Sequence, residues 1–253
     1  MKKPKNFLEW NNEILVSAIK KINFGIILII ALDALFYFLA NFSILFWHKG
    51  IEAKLLSFNM PQNLFALGAE KAQQLTGDVR LFFFMIAISF LLLLIAIILL
   101  ASILKGIIWA KTTNTRLSFH LFSRFFVLNL LWMGFWFLLA LLISWVIEPV
   151  SARVLIVIAA LSALHFTNIL YPLFMKEQKF SAVFSALRLG TAKVHLFLLP
   201  YASISSLLYL LIKAGSLLKF RYSPIALDAV LLAYMAITRY FISELVFSVK
   251  ERK

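Results

Sequence analysis

"LFFFMIAISFLLLLIAIILLASIL", residues 81–104, runs for 24 residues between Arg80 and Lys105 without a charge. As a helix it would extend roughly 36 Å at about 1.5 Å per residue, enough to cross a hydrocarbon core about 30 Å thick. The run is continuous rather than alternating with a period of two, so it reads as a membrane helix and not as a barrel strand. In lipid every backbone polar group must be satisfied within the protein, which a helix does alone.

Five more segments repeat this pattern, at about residues 22–47, 125–147, 154–175, 194–212 and 224–248. The chain is 63% hydrophobic and 14% charged, where soluble domains are about 45–50% apolar and 25% charged. Water could not accommodate so much apolar surface. The expectation is an all-α fold, a polytopic bundle of six transmembrane helices forming a single membrane domain over residues 1–253. The segment at 194–212 is the shortest and contains Pro200, which predicts a kink. The first apolar run is too long for a cleaved leader, and no small-residue cleavage pattern closes it, so it reads as span one.

Basic residues orient these spans. With the N-terminus in the cytoplasm, sixteen Lys and Arg fall on the inner side and eight on the outer. That excess predicts a cell-membrane protein with both termini cytoplasmic. The net charge of +14 would point to nucleic acid in a soluble chain. Here basic loops facing an anionic leaflet account for it, and no nucleic-acid partner is expected.

Three inner stretches have apolar residues at helical spacing with basic residues on other faces: "FLEWNNEILVSAIKKINF" (7–24), "LSFHLFSRFFVLN" (117–129) and "KFSAVFSALRLGTAKVHLF" (179–197). They predict interfacial amphipathic helices before spans one, three and five, a weak threefold repeat of surface helix, span in, span out. Lys20, Lys21, Arg124 and Arg188 would then meet anionic headgroups, making membrane lipids the expected partner, with a protein partner also possible at this face. The outer segment 48–80 contains "IEAKLLSF" and "NLFALGAEKAQQL" around "NMPQ". These predict two short helices, resting on the bilayer or capping a cavity. Trp10, Phe46, Trp47, Trp109, Trp132, Trp136 and Trp145 fall near span ends, as interfacial belts do. Ala159 with Ala163, and Ala202 with Ser206, are the expected close helix contacts.

Three ionisable groups fall deep inside the spans. Measured from the inner ends at about 1.5 Å per residue, Asp33 lies roughly 16 Å in, His165 roughly 15 Å and Arg239 roughly 13–14 Å. An unpaired charge at that depth costs from about 2.5 to over 10 kcal/mol. Asp33 and Arg239 are therefore expected to face one another, with His165 and Asn168 beside them. The cluster fits two roles: a buried pair that selects which helices meet, or a substrate or proton site. Glu244 lies close enough to the inner end to reach the interface without a deep partner.

No HExxH, Gly-rich phosphate loop, Walker lysine motif or GxSxG elbow is present, and the four His are too far apart to form a spaced metal pair. No catalytic, cofactor-binding or metal residues are assigned, and no cofactor is expected. The layout, together with "FSAVFSALRLGTAKVHLFLLPY" (180–201), resembles prokaryotic multi-pass membrane proteins of uncharacterised function. It is also distantly similar to the membrane domain attached to some glycerophosphodiester phosphodiesterases. The resemblance implies a six-span arrangement and carries over no activity and no functional residue. The functional expectation is a non-enzymatic integral membrane protein binding lipid or partner proteins at its basic inner face. The alternatives are a small transporter or permease subunit built on the polar cluster, and a lipid-modifying enzyme.

Overall fold

The computed structural model describes residues 6–56, 68–217 and 223–252. These form eight α-helices: α1 (Phe7–Lys21), α2 (Gly25–Leu56), α3 (Gly68–Thr112), α4 (Phe119–Val146), α5 (Pro149–Glu177), α6 (Ala182–Ala192), α7 (Val194–Leu217) and α8 (Ser223–Glu251). Six of them, α2 to α5, α7 and α8, are long and apolar enough to cross a membrane. The all-α, six-span architecture read from the sequence is thus the observed one. α7 continues unbroken through Pro200.

α1 and α6 are the separate short helices expected before spans one and five. The stretch before span three differs. It forms the opening turns of α4, which starts behind Ser118, whose side chain accepts the Leu121 N–H at 3.1 Å. Leu121, Phe125, Leu128 and Trp132 are all buried and follow one helical stripe. One continuous face therefore serves both the amphipathic segment and the span, and nothing interrupts the helix. Residues 51–56 and 68–75 of the outer segment likewise extend α2 and α3, while "NMPQ" lies outside the described residues.

The chain divides into two compact units, Met1–Ala34 with Ser102–Lys253, and Leu35–Ala101. In the first, the core gathers towards the helix ends that share a side with α1 and the C-terminal end of α8. Trp109, Phe125, Phe174, Phe197 and Val246 meet there and are essentially sealed from solvent. Towards the opposite ends of α4 and α5 large side chains lie open, Trp145 at 87% and Val150 at 70% exposure. In the second unit Trp47 donates its indole N–H to Ser89 Oγ at 3.1 Å and packs on Phe90. An apolar groove of about 650 Å³ runs beside that contact, lined by Phe46, Phe82 and Met85 among others.

Small residues bring helices together, though not at the pair read in span five; Ala159 and Ala163 are half-buried. Ala202 and Ser206 are exposed. α7 instead buries Leu196, Phe197 and Pro200. The close contact is on α6, where Ala182, Ala186 and Gly190 recur every fourth residue and are all buried. A Cβ on Gly190 would lie 2.8 Å from the Phe166 ring and 3.0 Å from His165 Nε2. The aromatic residues read as a belt also divide. Trp145 and Phe46 are exposed as a belt requires, whereas Trp10, Trp109 and Trp132 are core residues. Trp10 and Trp132 can be buried because their N–H groups have acceptors, Ser248 Oγ at 2.9 Å and Thr167 Oγ1 at 2.8 Å.

Gly190 and Gly134 are both helical, but nothing lies within 4 Å of a Cβ at Gly134. Gly190→Val is therefore expected to destabilise by about 1–3 kcal/mol through overpacking. Gly134→Ala should be neutral or stabilising, by up to about 1 kcal/mol. Thermal melts of both variants in detergent check this, and equal melting temperatures would contradict the packing of α6 on α5.

Candidate functional site

Asp33 on α2 is fully buried, with a side-chain exposure of 0%. Ile29, Ile108, Ala18, Ala236 and Tyr240 form a small apolar cluster around this part of α2, α3 and α8. A carboxylate in such a setting must be paired or protonated. Asp33 is paired twice. Arg239 on α8 donates Nη2–H to Oδ1 at 2.9 Å, and its Nη1–H donates to Oδ2. The two parallel bonds make the fork that suits a guanidinium and a carboxylate. Lys105 on α3 donates from Nζ to Asp33 Oδ1 at 2.6 Å. The two cations are themselves mostly buried, at 16% exposure for Lys105 and 11% for Arg239. Three helices far apart in sequence thus converge on one carboxylate.

Lys105 was missed as a member because it closes the charge-free run of α3 and reads as an interfacial lysine. From the end of that run its Nζ reaches Asp33 Oδ1. Long basic side chains reach between levels in this way.

His165 and Asn168, expected beside the pair, make their contacts elsewhere. His165 Nδ1 is 3.2 Å from the Tyr201 hydroxyl on α7 and Nε2 is 3.3 Å from the Gly190 carbonyl on α6. Asn168 lies near the same Tyr201 hydroxyl. Matching depth alone misled the reading, because α5 turns this face to α6 and α7. Glu244 also differs from expectation: it is only 14% exposed, accepts from Ser17 Oγ at 2.9 Å and pairs with Lys21 at 2.5 Å. Those contacts, with Trp10 on Ser248, clasp α1 against the end of α8.

The four basic residues assigned to headgroups have different roles. Lys21 serves Glu244. Arg124 donates to the Gln178 carbonyl at 2.8 Å, closing the end of α5, where Gln178 adopts the left-handed conformation (φ 52°). A cation there also complements the helix dipole. Lys20 and Arg188 are exposed and have no partner among the described residues. A cleft of about 410 Å³ follows α1 past Asn12, Val16 and Lys20. Neither this cleft nor the groove in the second unit is lined by Asp33, Lys105 or Arg239.

Six apolar helices with a sealed polar triad define an integral, multi-pass membrane protein. The chain matches no family model, no curated protein and no solved structure.

Asp33→Ala would strand two buried cations and is expected to cost about 3–5 kcal/mol. Glu244→Gln should cost less than about 1 kcal/mol, because Lys21 is 55% exposed and stays hydrated. Melting temperatures and yields in detergent give the order. A Glu244 variant weaker than the Asp33 variant would refute the assignment of the triad as the principal tie.

Proposed function

We propose that the protein is a non-enzymatic membrane protein that holds anionic lipid headgroups against its basic, cytoplasmic face. One observation carries this reading. Lys20, Lys111, Arg116, Lys179 and Arg188 are exposed and lack partners among the described residues, although most other cations on this side are used internally. They alternate with exposed apolar side chains: Leu15, Val16 and Ile19 on α1, Phe119 at the start of α4, and Phe180 and Phe184 at α6. Apolar groups that dip below the phosphates beside cations that reach up to them are what an interfacial surface requires. Each Lys or Arg near an anionic leaflet contributes about 1 kcal/mol, falling off over a Debye length.

Lysines used internally cannot serve lipid. Lys250 pairs with Glu177 at 2.6 Å, Lys193 donates to the Val249 carbonyl at 2.9 Å, and Lys176 lies over the Phe247 ring. The exposed set is therefore the one to remove. Lys20→Gln, Arg116→Gln, Lys179→Gln and Arg188→Gln combined should lower the anionic lipid retained on purification several-fold, read as phosphatidylglycerol against phosphatidylethanolamine by mass spectrometry. An unchanged lipid complement would count against the reading.

Orientation has its own test, since the chain has no Cys. Lys20→Cys should resist a membrane-impermeant maleimide in intact cells and react once they are permeabilised. Arg153→Cys, at the other end of the spans, should react in both. The reverse pattern would invert the topology.

A further inference from the structure

The groove of about 650 Å³ in the Leu35–Ala101 unit is a cavity that the polar triad does not use. α2 lines it from Phe42 to Lys54, and α3 from Phe82 to Ala96. At about 1.5 Å per residue those stretches are roughly 18 and 21 Å long, close to one leaflet of a hydrocarbon core about 30 Å thick together with its headgroup layer. The Trp47–Ser89 hydrogen bond falls midway along both and fixes the separation of the walls. Consecutive spans run in opposite directions, so Lys54 and Phe82 share one end of the groove and Phe42 and Ala96 the other.

The polar atoms of the lining are largely consumed within the walls. The Trp47 N–H goes to Ser89 Oγ, the Ser89 hydroxyl donates to the Ile86 carbonyl at 3.0 Å, and the Ser43 hydroxyl donates to the Leu39 carbonyl at 2.8 Å. What the walls present is carbon: the stacked rings of Phe42 and Phe46, with centroids 6.4 Å apart, and Met85, Leu92 and Leu93 from α3. Gly50 lies on the same stripe of α2 as Phe46, Trp47 and Lys54 and leaves a gap, since a Cβ there would meet nothing within 4 Å. Lys54 is the one cation among the described lining residues, and it stands in the last turn of α2. An apolar slot of one-leaflet length that ends in a cation is complementary to an amphiphile with a phosphate at the end of its acyl chain.

We infer that this groove holds one acyl chain of a phospholipid from the leaflet at the C-terminal end of α2, with Lys54 on its phosphate. The hydrophobic effect does not draw a chain out of the bilayer, so selection comes from fit along the gap at Gly50 and from the charge at Lys54. The flexible thioether of Met85 can follow the bends of the chain. The site is separate from the basic inner face, because none of Lys20, Arg116, Lys179 and Arg188 lines it.

The test uses the full chain, delipidated in a mild detergent, and phosphatidylglycerol carrying a diazirine in one acyl chain. After irradiation, peptide mapping should place a saturable adduct on residues 42–54 and 82–96, displaced by excess unlabelled phosphatidylglycerol. Diacylglycerol, which lacks the phosphate, should displace it about fivefold less effectively, and Lys54→Gln should weaken binding by about the same factor. Gly50→Leu fills the gap and should cut the saturable adduct several-fold. Its melting temperature should hold or rise by about 2–4 °C, because leucine is the better helix former. Adducts that do not saturate, or that spread evenly over all the lipid-facing helices, would overturn the inference, as would an unchanged adduct in Gly50→Leu. Equal displacement by diacylglycerol would overturn the phospholipid assignment. A wild-type dimer that Gly50→Leu dissociates, with no adduct in the groove, would give the groove to a second copy of the chain instead. Each of these variants keeps the exposed cations of the inner face, so loss of the groove adduct with bulk anionic lipid retained separates this site from that face.

Discussion

A single carboxylate that water does not reach governs how this chain packs. Asp33 has 0% exposure and is held by cations from two other helices. In a low-dielectric interior it can remain ionised only if those cations stay, and they can stay only if α2, α3 and α8 keep their mutual register. The same logic is repeated nearer the helix ends, where Glu244 on α8 takes Ser17 and Lys21 from α1. Two carboxylates thus assign partners to four helices. Apolar contact could not make that selection, because one leucine-rich face suits another equally well.

How far the sequence revealed this follows from what kind of signal each feature leaves. Span number was legible because an uninterrupted apolar run of about 20 residues has few other physical explanations. Asp33 and Arg239 stood out because charge inside such a run demands an explanation. Lys105 did not, since at the boundary of a span a lysine is ordinary, and only the fold shows its side chain turned inward to Asp33. His165 was misplaced for the converse reason. Depth along a helix is readable from a sequence, but the azimuth of a residue about the helix axis depends on which neighbours are present. The small-residue contact was overlooked because it was sought in the spans, whereas Ala182, Ala186 and Gly190 are on the short α6.

The positive-inside signal is itself a mixture. Part of it is structural: Arg124 closes α5, and Lys193 donates to the Val249 and Arg252 carbonyls at the end of α8. Helix ends carry a partial negative charge from unsatisfied carbonyls, so a side rich in C-terminal ends recruits cations whatever lipid lies below it. α3, α5 and α8 all end on the side of α1. The cations left over, among them Lys20 and Arg188, are those for which a structural role does not account.

The distribution of polar contacts explains why the first unit is tight at one end and open at the other. Between membrane helices the hydrophobic effect supplies little attraction, since lipid tails are as apolar as leucine. Association must come from close packing and hydrogen bonds. Those bonds cluster towards the α1 side: Tyr171 donates to Asn129 Oδ1 at 2.7 Å, Asn129 donates to Ser102 at 2.9 Å, Trp132 donates to Thr167, and His165 faces Tyr201. Aromatic rings fill the spaces between them, with Phe125 edge-on to Tyr171 at 5.0 Å. Further along α4, beyond Trp136, Leu138, Leu141, Leu142 and Trp145 offer no polar group to a neighbouring helix except through the indole of Trp145, and all four are exposed. With nothing to draw them inward, those side chains stay exposed, where acyl chains solvate them as readily as protein would.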